Sequence, residues 1–213
     1  MLSLLTEGDF LLFAILALAL IVSLAWHEYG HAAVAKLFGD DTAERAGRLT
    51  LNPLAHIDPV GFMMIVIIGF GYAKPVPTDP RNYTSKAADL WVAGAGPFMN
   101  LILAVITWNF FLVMNNAGVE PFTGEQATLF FVVLVQVNLL LAVFNLIHLG
   151  PLDGHYILPY FLPSQLAQAY RRRNRRIGSH ALLALVVLSI GGVPVFEYVW
   201  SVGAFLLPWI SWF

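Results

Sequence analysis

Long apolar segments dominate this chain and predict that it folds within a lipid bilayer. A bilayer needs about 20 apolar residues per helical span. Hydropathy predicts helical spans near residues 10–38, 88–114, 127–149 and 179–193. Of the 213 residues, 59% are hydrophobic and 11% are charged, whereas about a quarter are charged in soluble domains. The composition therefore indicates an all-α polytopic membrane protein.

The number of spans is predicted as four to five. The fourth span is short, and the aromatic segment 196–213, broken by Pro208, is either a fifth span or an interfacial segment. We expect one membrane-embedded domain over residues 1–213, with its core at 10–160 and C-terminal helices at 179–213.

Basic residues indicate how the chain is oriented in the membrane. All 11 Lys and Arg lie in the blocks Lys36–Lys86 and Arg171–Arg176. Cytoplasmic loops carry an excess of Lys and Arg, so both blocks are predicted to be cytoplasmic. The inner ends of the first and third spans then lie on the same side. The run RRRNRR is interpreted as a topological anchor, with a lipid or partner site as the alternative.

The connection between the first two spans contains an apolar stretch too short to cross the membrane as a helix. This stretch, residues 60–70, is rich in Ile, Val and Gly, which favours a strand or a re-entrant loop. Non-helical backbone is tolerated at membrane depth where it is buried in protein or lines a watery cavity. We therefore predict a re-entrant strand or hairpin between the first two spans.

Three ionisable residues lie in the first span, in the sequence HEYGH. Such residues are costly in a membrane and indicate function. His27 and His31 are about one helical turn apart, so both imidazoles can bind one zinc ion. Glu28 lies about 100° round the helix, where it can act as a general base rather than as a ligand. The alternative is a pair of helix-packing histidines, with Glu28 satisfied elsewhere.

A catalytic zinc site needs a third protein ligand on the same side of the membrane. Asp153 is the candidate, because it follows the third span and Pro151 lets the chain turn back there. The charge pattern and the metal geometry thus indicate the same face. Cysteine is absent, which excludes thiolate catalysis and thiolate ligands.

Several motifs together resemble those of the site-2 protease family, which comprises zinc intramembrane metalloproteases. They are HEYGH at 27–31, LNPLAHIDPVG at 51–61, AKPVP at 73–77, AGPFMN at 95–100 and FNL…PLDG at 144–154. The resemblance implies that His27, His31 and Asp153 bind one Zn²⁺ and that Glu28 is the catalytic base. It also implies cleavage of a transmembrane segment, often releasing a regulator to the cytoplasm.

The expected partners follow from that resemblance. They are a single-pass or helical membrane-protein substrate and the membrane lipid, with no nucleic acid. Two rival functions stay open: a membrane protein that binds or transports metal, and an inactive relative that binds helices without cutting them.

The motif before Asp153 departs from the family pattern N-x-x-P-x-P-P-L-D-G. His148 and Gly150 replace its first two prolines, so the path of the chain to Asp153 is less constrained. His148 is either a further ligand, a proton shuttle or a pH sensor near the metal, or else a tolerated polar residue that faces water.

Other residues are candidates for substrate contact. Asn100 and Asn145, which match asparagines of the family, either hold the substrate or oxyanion or form helix–helix hydrogen bonds. The segment IIGFGYAKPVP could bind the unwound substrate as an added strand, since Gly69 and Gly71 allow close backbone approach. The alternative is a structural hairpin. His56 is expected to bond locally and to fix its loop.

Overall fold

The structure, a computed structural model, describes residues 1–68 and 71–213. Within these ranges the chain forms nine α-helices and no β-strand, which confirms the all-α prediction. The helices are α1 (Leu2–Glu7), α2 (Phe10–Leu37), α3 (Thr42–Arg45), α4 (Pro59–Ile68), α5 (Ala88–Asn116), α6 (Glu125–Asn145), α7 (Gly154–Ile157), α8 (Ser164–Ile190) and α9 (Val195–Ile210).

Among the described residues, three helices are long and apolar enough to cross a membrane, namely α2, α5 and α6. They correspond to the first three predicted spans. The run RRRNRR lies inside α8, so the apolar part of that helix is short, and α9 has 16 residues. Crossing of the membrane by α8 or α9 therefore stays a prediction.

The close approach of α2 and α5 depends on a glycine. A Cβ on Gly30 would lie 2.6 Å from Met99 Cγ and 2.8 Å from the carbonyl oxygen of Ala95, so a larger residue would push the helices apart. In the N-terminal half of α2, Ile15 packs in one apolar cluster with Val133 of α6. The three apolar helices thus pack side by side and hold the C-terminal half of α2 in place.

The strand predicted for residues 60–70 is wrong over residues 60–68, which belong to helix α4. Asp58 Oδ1 accepts hydrogen bonds from the backbone N–H groups of Val60 at 3.0 Å and Gly61 at 2.8 Å. Pro59 follows at the first helical position, where a missing N–H costs little. These start signals outweigh the β preference of Ile and Val, which depends on a neighbouring strand that the described residues do not supply.

After α4 the chain returns toward α2 without regular secondary structure from Gly71 to Asp79. A Cβ on Gly71 would collide with the carbonyl group of Gly61 and the side chain of Ile65, so Gly71 packs within the chain. Gly69, the other predicted glycine, lies outside the described residues. Entry of this segment into the membrane stays a prediction.

Candidate metal centre

Side chains from α2 and from the loop after α6 converge at one point. His27 Nε2 lies 3.0 Å from His31 Nε2 and 3.1 Å from Asp153 Oδ2. His31 Nε2 lies 3.4 Å from Asp153 Oδ1. The three side chains are 6%, 12% and 16% exposed, respectively, so the group is largely shielded from solvent. The structure therefore brings together the three residues that the sequence proposes as metal ligands.

Hydrogen bonds fix which ring nitrogens face this point. Asn100 donates its amide hydrogens to a backbone carbonyl of α2 and to Asn138 Oδ1, both at 3.0 Å. Its Oδ1 therefore accepts from Nδ1 of His27, at 2.7 Å. His31 Nδ1 likewise donates to the carbonyl oxygen of Val92, at 2.7 Å. A neutral imidazole protonated on Nδ1 carries its lone pair on Nε2, so both histidines present lone pairs to the centre.

This arrangement fits a bound cation. Two imidazole lone pairs and a carboxylate face one another with no proton to share, which is unfavourable without a positive charge between them. Asp153 Oδ2 is buried and makes no hydrogen bond, although it is 3.1 Å from His27 Nε2. Two histidines and one carboxylate are also a ligand set of catalytic zinc sites, which keep a fourth position open. The three residues together could hold one metal ion.

Gly96 on α5 borders the same point from another side. A Cβ at this position would lie under 3.0 Å from Nε2 of both His27 and His31. The space in front of the two ring nitrogens therefore exists because residue 96 lacks a side chain. In the sequence, Gly96 stands out only as part of the motif AGPFMN. The sequence feature that could have indicated a role for Gly96 is its position four residues before Asn100 on the same helix.

Glu28, the predicted base, follows His27 on α2 and is 8% exposed. Its Oε2 accepts a hydrogen bond from the backbone N–H of Val76 at 2.9 Å. Val76 belongs to the motif AKPVP, and the prolines on both sides of it have no N–H to offer. The segment after α4 thus reaches the predicted base through a single backbone donor.

Arg48 fixes the segment that follows α4, a role that its sequence context did not indicate. It is 6% exposed, and its guanidinium donates to the carbonyl oxygens of Lys74 at 2.5 Å and Pro75 at 3.4 Å. His56 Nδ1 lies 3.3 Å from the same guanidinium, and its Nε2 lies 2.8 Å from the carbonyl oxygen of Thr50. His56 therefore bonds locally, as expected. An arginine within a basic block gives no sign in the sequence that it is buried.

The other predicted residues lie outside the three-residue group. Asn145 Nδ2 donates to the carbonyl oxygen of Leu141 within α6, at 3.0 Å. The side chain of His148 is exposed, which agrees with the interpretation that it faces water. The packing of Gly71 against Gly61 favours a structural part for that glycine.

Comparison with known proteins gives matches to metalloproteases. The sequence matches the profile of Peptidase family M50 over residues 15–123, a little more than half of the chain. It is 40% identical over 187 residues to the Bacillus subtilis protein named "Putative zinc metalloprotease YwhC", covering 86% of this chain and 83% of that protein. No solved structure matches at a significant level.

Two further relatives come from mycobacteria, and both are named "Putative zinc metalloprotease Rip2". The protein of Mycolicibacterium smegmatis is 33% identical over 149 residues, and that of Mycobacterium tuberculosis is 31% identical over 150 residues. Each match covers 67% of this chain and 56% of the relative.

Proposed function

The chain belongs to Peptidase family M50, the site-2 protease family, and from that premise we propose that it hydrolyses peptide bonds in transmembrane segments of other membrane proteins. The observation that carries this proposal is the convergence of His27, His31 and Asp153, with Glu28 directly after His27 on α2. One zinc ion is the cofactor, since the relatives carry the name "putative zinc metalloprotease" and the three side chains could hold a single metal ion.

The chemistry divides between the ion and the protein. Bound zinc supplies a Lewis acid that activates water and polarises a carbonyl group. Glu28 is the general base, which takes a proton from the attacking water and passes it to the leaving amine nitrogen. The N–H of Val76, at 2.9 Å, orients the Glu28 carboxylate for this transfer.

Asn100 acts on the site through His27 in this proposal. All three hydrogen-bonding groups of its amide are engaged inside the protein, and the residue is fully buried. We therefore assign it the orientation of His27 rather than contact with the substrate. Asn145, at the inner end of α6, stays a candidate for substrate contact.

A substrate helix must unwind before it can be cut, because its amides are paired internally. The segment from Gly71 to Asp79 lies beside Glu28 and has no regular secondary structure, so it is a candidate surface for main-chain binding of the unwound peptide. Gly69 and Gly71 stay part of this proposal, although the packing of Gly71 favours the structural alternative.

We also propose that the site opens toward the cytoplasm and that cleavage releases a regulator there. Both basic blocks are predicted to be cytoplasmic, and the proposed ligands lie near the C-terminal end of α2 and in the loop after α6, on the side of the chain that leads into those blocks. A function in metal transport would not explain why the Val76 N–H binds the carboxylate of Glu28.

Glu28→Gln tests the proposal. Glutamine has nearly the same volume and can still accept the hydrogen bond from Val76, but it cannot take a proton from water. We expect proteomics of membrane fragments to show products in cells with the native protein and none with E28Q, while purified E28Q keeps its zinc. Glu125→Gln, at the exposed start of α6, is the matched control and should leave cleavage unchanged. Retained cleavage or lost zinc in E28Q would contradict the assigned role.

A further inference from the structure

We infer that helix α8 shapes the loop that carries Asp153, and that Asn174 is the positioning residue through which it does so. This inference rests on the metal site of the proposed function. It gives a second role to the segment RRRNRR, whose asparagine faces a different side of the helix from its arginines.

The loop between α6 and Asp153 is closed by short-range backbone hydrogen bonds, from the Leu149 N–H to the Ile147 carbonyl oxygen at 2.8 Å and from the Leu152 N–H to the Leu149 carbonyl oxygen at 3.3 Å, but none of these bonds involves Gly150. Gly150 adopts a left-handed backbone conformation, with φ of +64°, which glycine reaches readily. Glycine is also the residue with the greatest backbone freedom, and the prolines that would stiffen positions 148 and 150 are absent. Gly150 is therefore the residue of this loop at which contacts from outside can fix the direction of the chain toward Asp153.

Asn174 supplies two such contacts to one residue. Its Oδ1 accepts a hydrogen bond from the backbone N–H of Gly150 at 3.1 Å, and its Nδ2 donates to the carbonyl oxygen of Gly150 at 3.0 Å. The amide thereby fixes the peptide groups on both sides of the Gly150 Cα. One turn earlier on α8, the hydroxyl of Tyr170 donates to the carbonyl oxygen of His148 at 2.8 Å.

The next two turns of α8 follow the same loop. A Cβ on Gly178 would lie 3.0 Å from the Cα of Gly150, so the helix and the loop are in backbone contact there. Leu182 packs in one buried cluster with Leu152, the residue directly before Asp153, and with Phe144 of α6. The contacts therefore continue up to the residue next to the proposed metal ligand.

The pattern of exposure along α8 supports a dedicated contact face. Along the part of α8 that faces the loop, buried and half-buried residues recur every three or four positions. The residues among them that contact the loop are Tyr170, Asn174, Gly178 and Leu182. The five arginines of RRRNRR are all exposed. A shielded amide is costly without hydrogen-bond partners, and the two hydrogen bonds to Gly150 explain why Asn174 is tolerated on the contact face of α8.

The consequence is a weaker metal site when the Asn174 amide is lost. Without it, rotation about the Gly150 peptides would move Asp153 relative to the two imidazoles. Outer contacts that hold metal ligands in place typically change metal affinity 10–100-fold. We expect Asn174→Ala to weaken zinc binding by about tenfold or more.

The experiment uses the purified full-length protein in detergent, with zinc affinity measured by competition with a chromophoric chelator. Asn174→Ala is compared with Arg173→Ala, its exposed neighbour, and with Asp153→Ala as the reference for a lost ligand. Cobalt(II) absorption spectra at saturating metal report ligand geometry. Thermal unfolding of the zinc-free proteins reports the structural contribution. Asn174→Asp, which keeps the side-chain volume and the acceptor for the Gly150 N–H, is the second variant.

Support would be weaker zinc binding in N174A than in R173A, a cobalt spectrum shifted toward that of D153A, and zinc-free stability close to that of R173A. N174D should fall between N174A and the unsubstituted protein. Equal zinc affinity in N174A and R173A would overturn the inference, as would failure of both Asn174 variants to fold, which would make the residue structural. Failure of the metal site itself gives a different result, because the unsubstituted protein would then bind no zinc. Failure of the proposed proteolysis alone would leave the zinc affinities of all these variants unchanged.

Discussion

Nδ1 of His27 on α2 donates a hydrogen bond to Oδ1 of Asn100 on α5 at 2.7 Å, between two helices long and apolar enough to cross a membrane. Asn100 donates to Asn138 Oδ1 at 3.0 Å, and Asn138 donates to the carbonyl oxygen of Leu134 at 2.8 Å. The carbonyl oxygen of Leu134 fixes the amide of Asn138, which fixes the amide of Asn100. A backbone carbonyl of α6 therefore sets the direction in which the lone pair of His27 points. Asn100 and Asn138 thus orient the His27 ring toward His31 and Asp153.

Asn100→Ala should therefore weaken zinc binding. The substitution removes the acceptor for Nδ1–H of His27, and the ring can then rotate or change its tautomer. Loss of such a bond typically costs 10–100-fold in metal affinity, and we expect a change in that range. Chelator competition on the purified protein measures it.

The matched control is Asn116→Ala, at the exposed end of the same helix, α5. Its zinc affinity should equal that of the unsubstituted protein. Equal affinity in N100A as well would show that packing alone orients the His27 ring.

Gly96→Ala should abolish both zinc binding and cleavage. The added methyl group would lie under 3.0 Å from Nε2 of His27 and His31, where the lone pairs converge. Neither imidazole can retreat freely, because each Nδ1 is held by a hydrogen bond at 2.7 Å. Metal analysis of purified protein and a cleavage assay check this prediction.

Gly94→Ala, two residues earlier on α5, separates this effect from a general effect of alanine in the helix. A Cβ on Gly94 meets open space. We expect zinc content to be unchanged and helix stability to rise by about 0.5–1 kcal/mol, the usual gain from replacing a helical glycine. Zinc retained in G96A would contradict the steric account.

The convergence of His27, His31 and Asp153 could be predicted from sequence because its signals are local or topological. His27 and His31 are four residues apart on one helix, and the charge pattern placed Asp153 on the same side of the membrane. Arg48 and Asn174 gave no such signal. Their hydrogen bonds reach residues 26 and 24 positions away, respectively, so their role depends on how the loops meet.

Helix α4 shows why one local prediction was wrong. The apolar stretch was too short to cross a membrane as a helix, and its Ile and Val favoured a strand. A helix need not cross, however, and the Asp58–Pro59 pair is a helix start signal that was present in the sequence. Capping of the first turn is decided within four residues, whereas a strand needs a partner elsewhere.

The attachment of the segment before α5 to the end of α2 should depend on pH. Hydrogen bonds from Arg81 hold the pKa of Asp79 at about 2, below its ordinary value of 3.8. Burial raises the pKa of Asp40, but hydrogen bonds from Asn82 and Thr42 outweigh it and leave that pKa below its ordinary value. Since folding lowers both pKa values, their stabilisation is complete above about pH 4 and is lost as the pH falls toward about 2.

Hydrogen exchange on the zinc-free protein measures this dependence. The N–H of Asp79 donates to Asp40 Oδ2 at 2.7 Å and should lose protection over that range, after correction for intrinsic exchange rates. Amides in the middle of α5 are the internal reference and should stay protected. Parallel loss in both places would indicate global acid unfolding instead of local release.

Arg48→Met should lower the rate of cleavage and leave zinc binding unchanged. Methionine keeps much of the buried stem but has no N–H groups, so the carbonyl oxygens of Lys74 and Pro75 lose their donor. The segment can then shift, and the Val76 N–H no longer holds Glu28 in place. We expect kcat to fall about tenfold, which corresponds to about 1.4 kcal/mol of transition-state stabilisation.

Two further variants show whether the fall in kcat comes from loss of the Arg48 guanidinium. Arg45→Met removes an exposed arginine that pairs with Asp41, and it should change nothing. Arg48→Lys keeps the charge but can reach one carbonyl oxygen at a time, so its kcat should lie between those of R48M and the unsubstituted protein. Loss of zinc in R48M, or an R48K variant no more active than R48M, would show that Arg48 supports the fold rather than the orientation of Glu28.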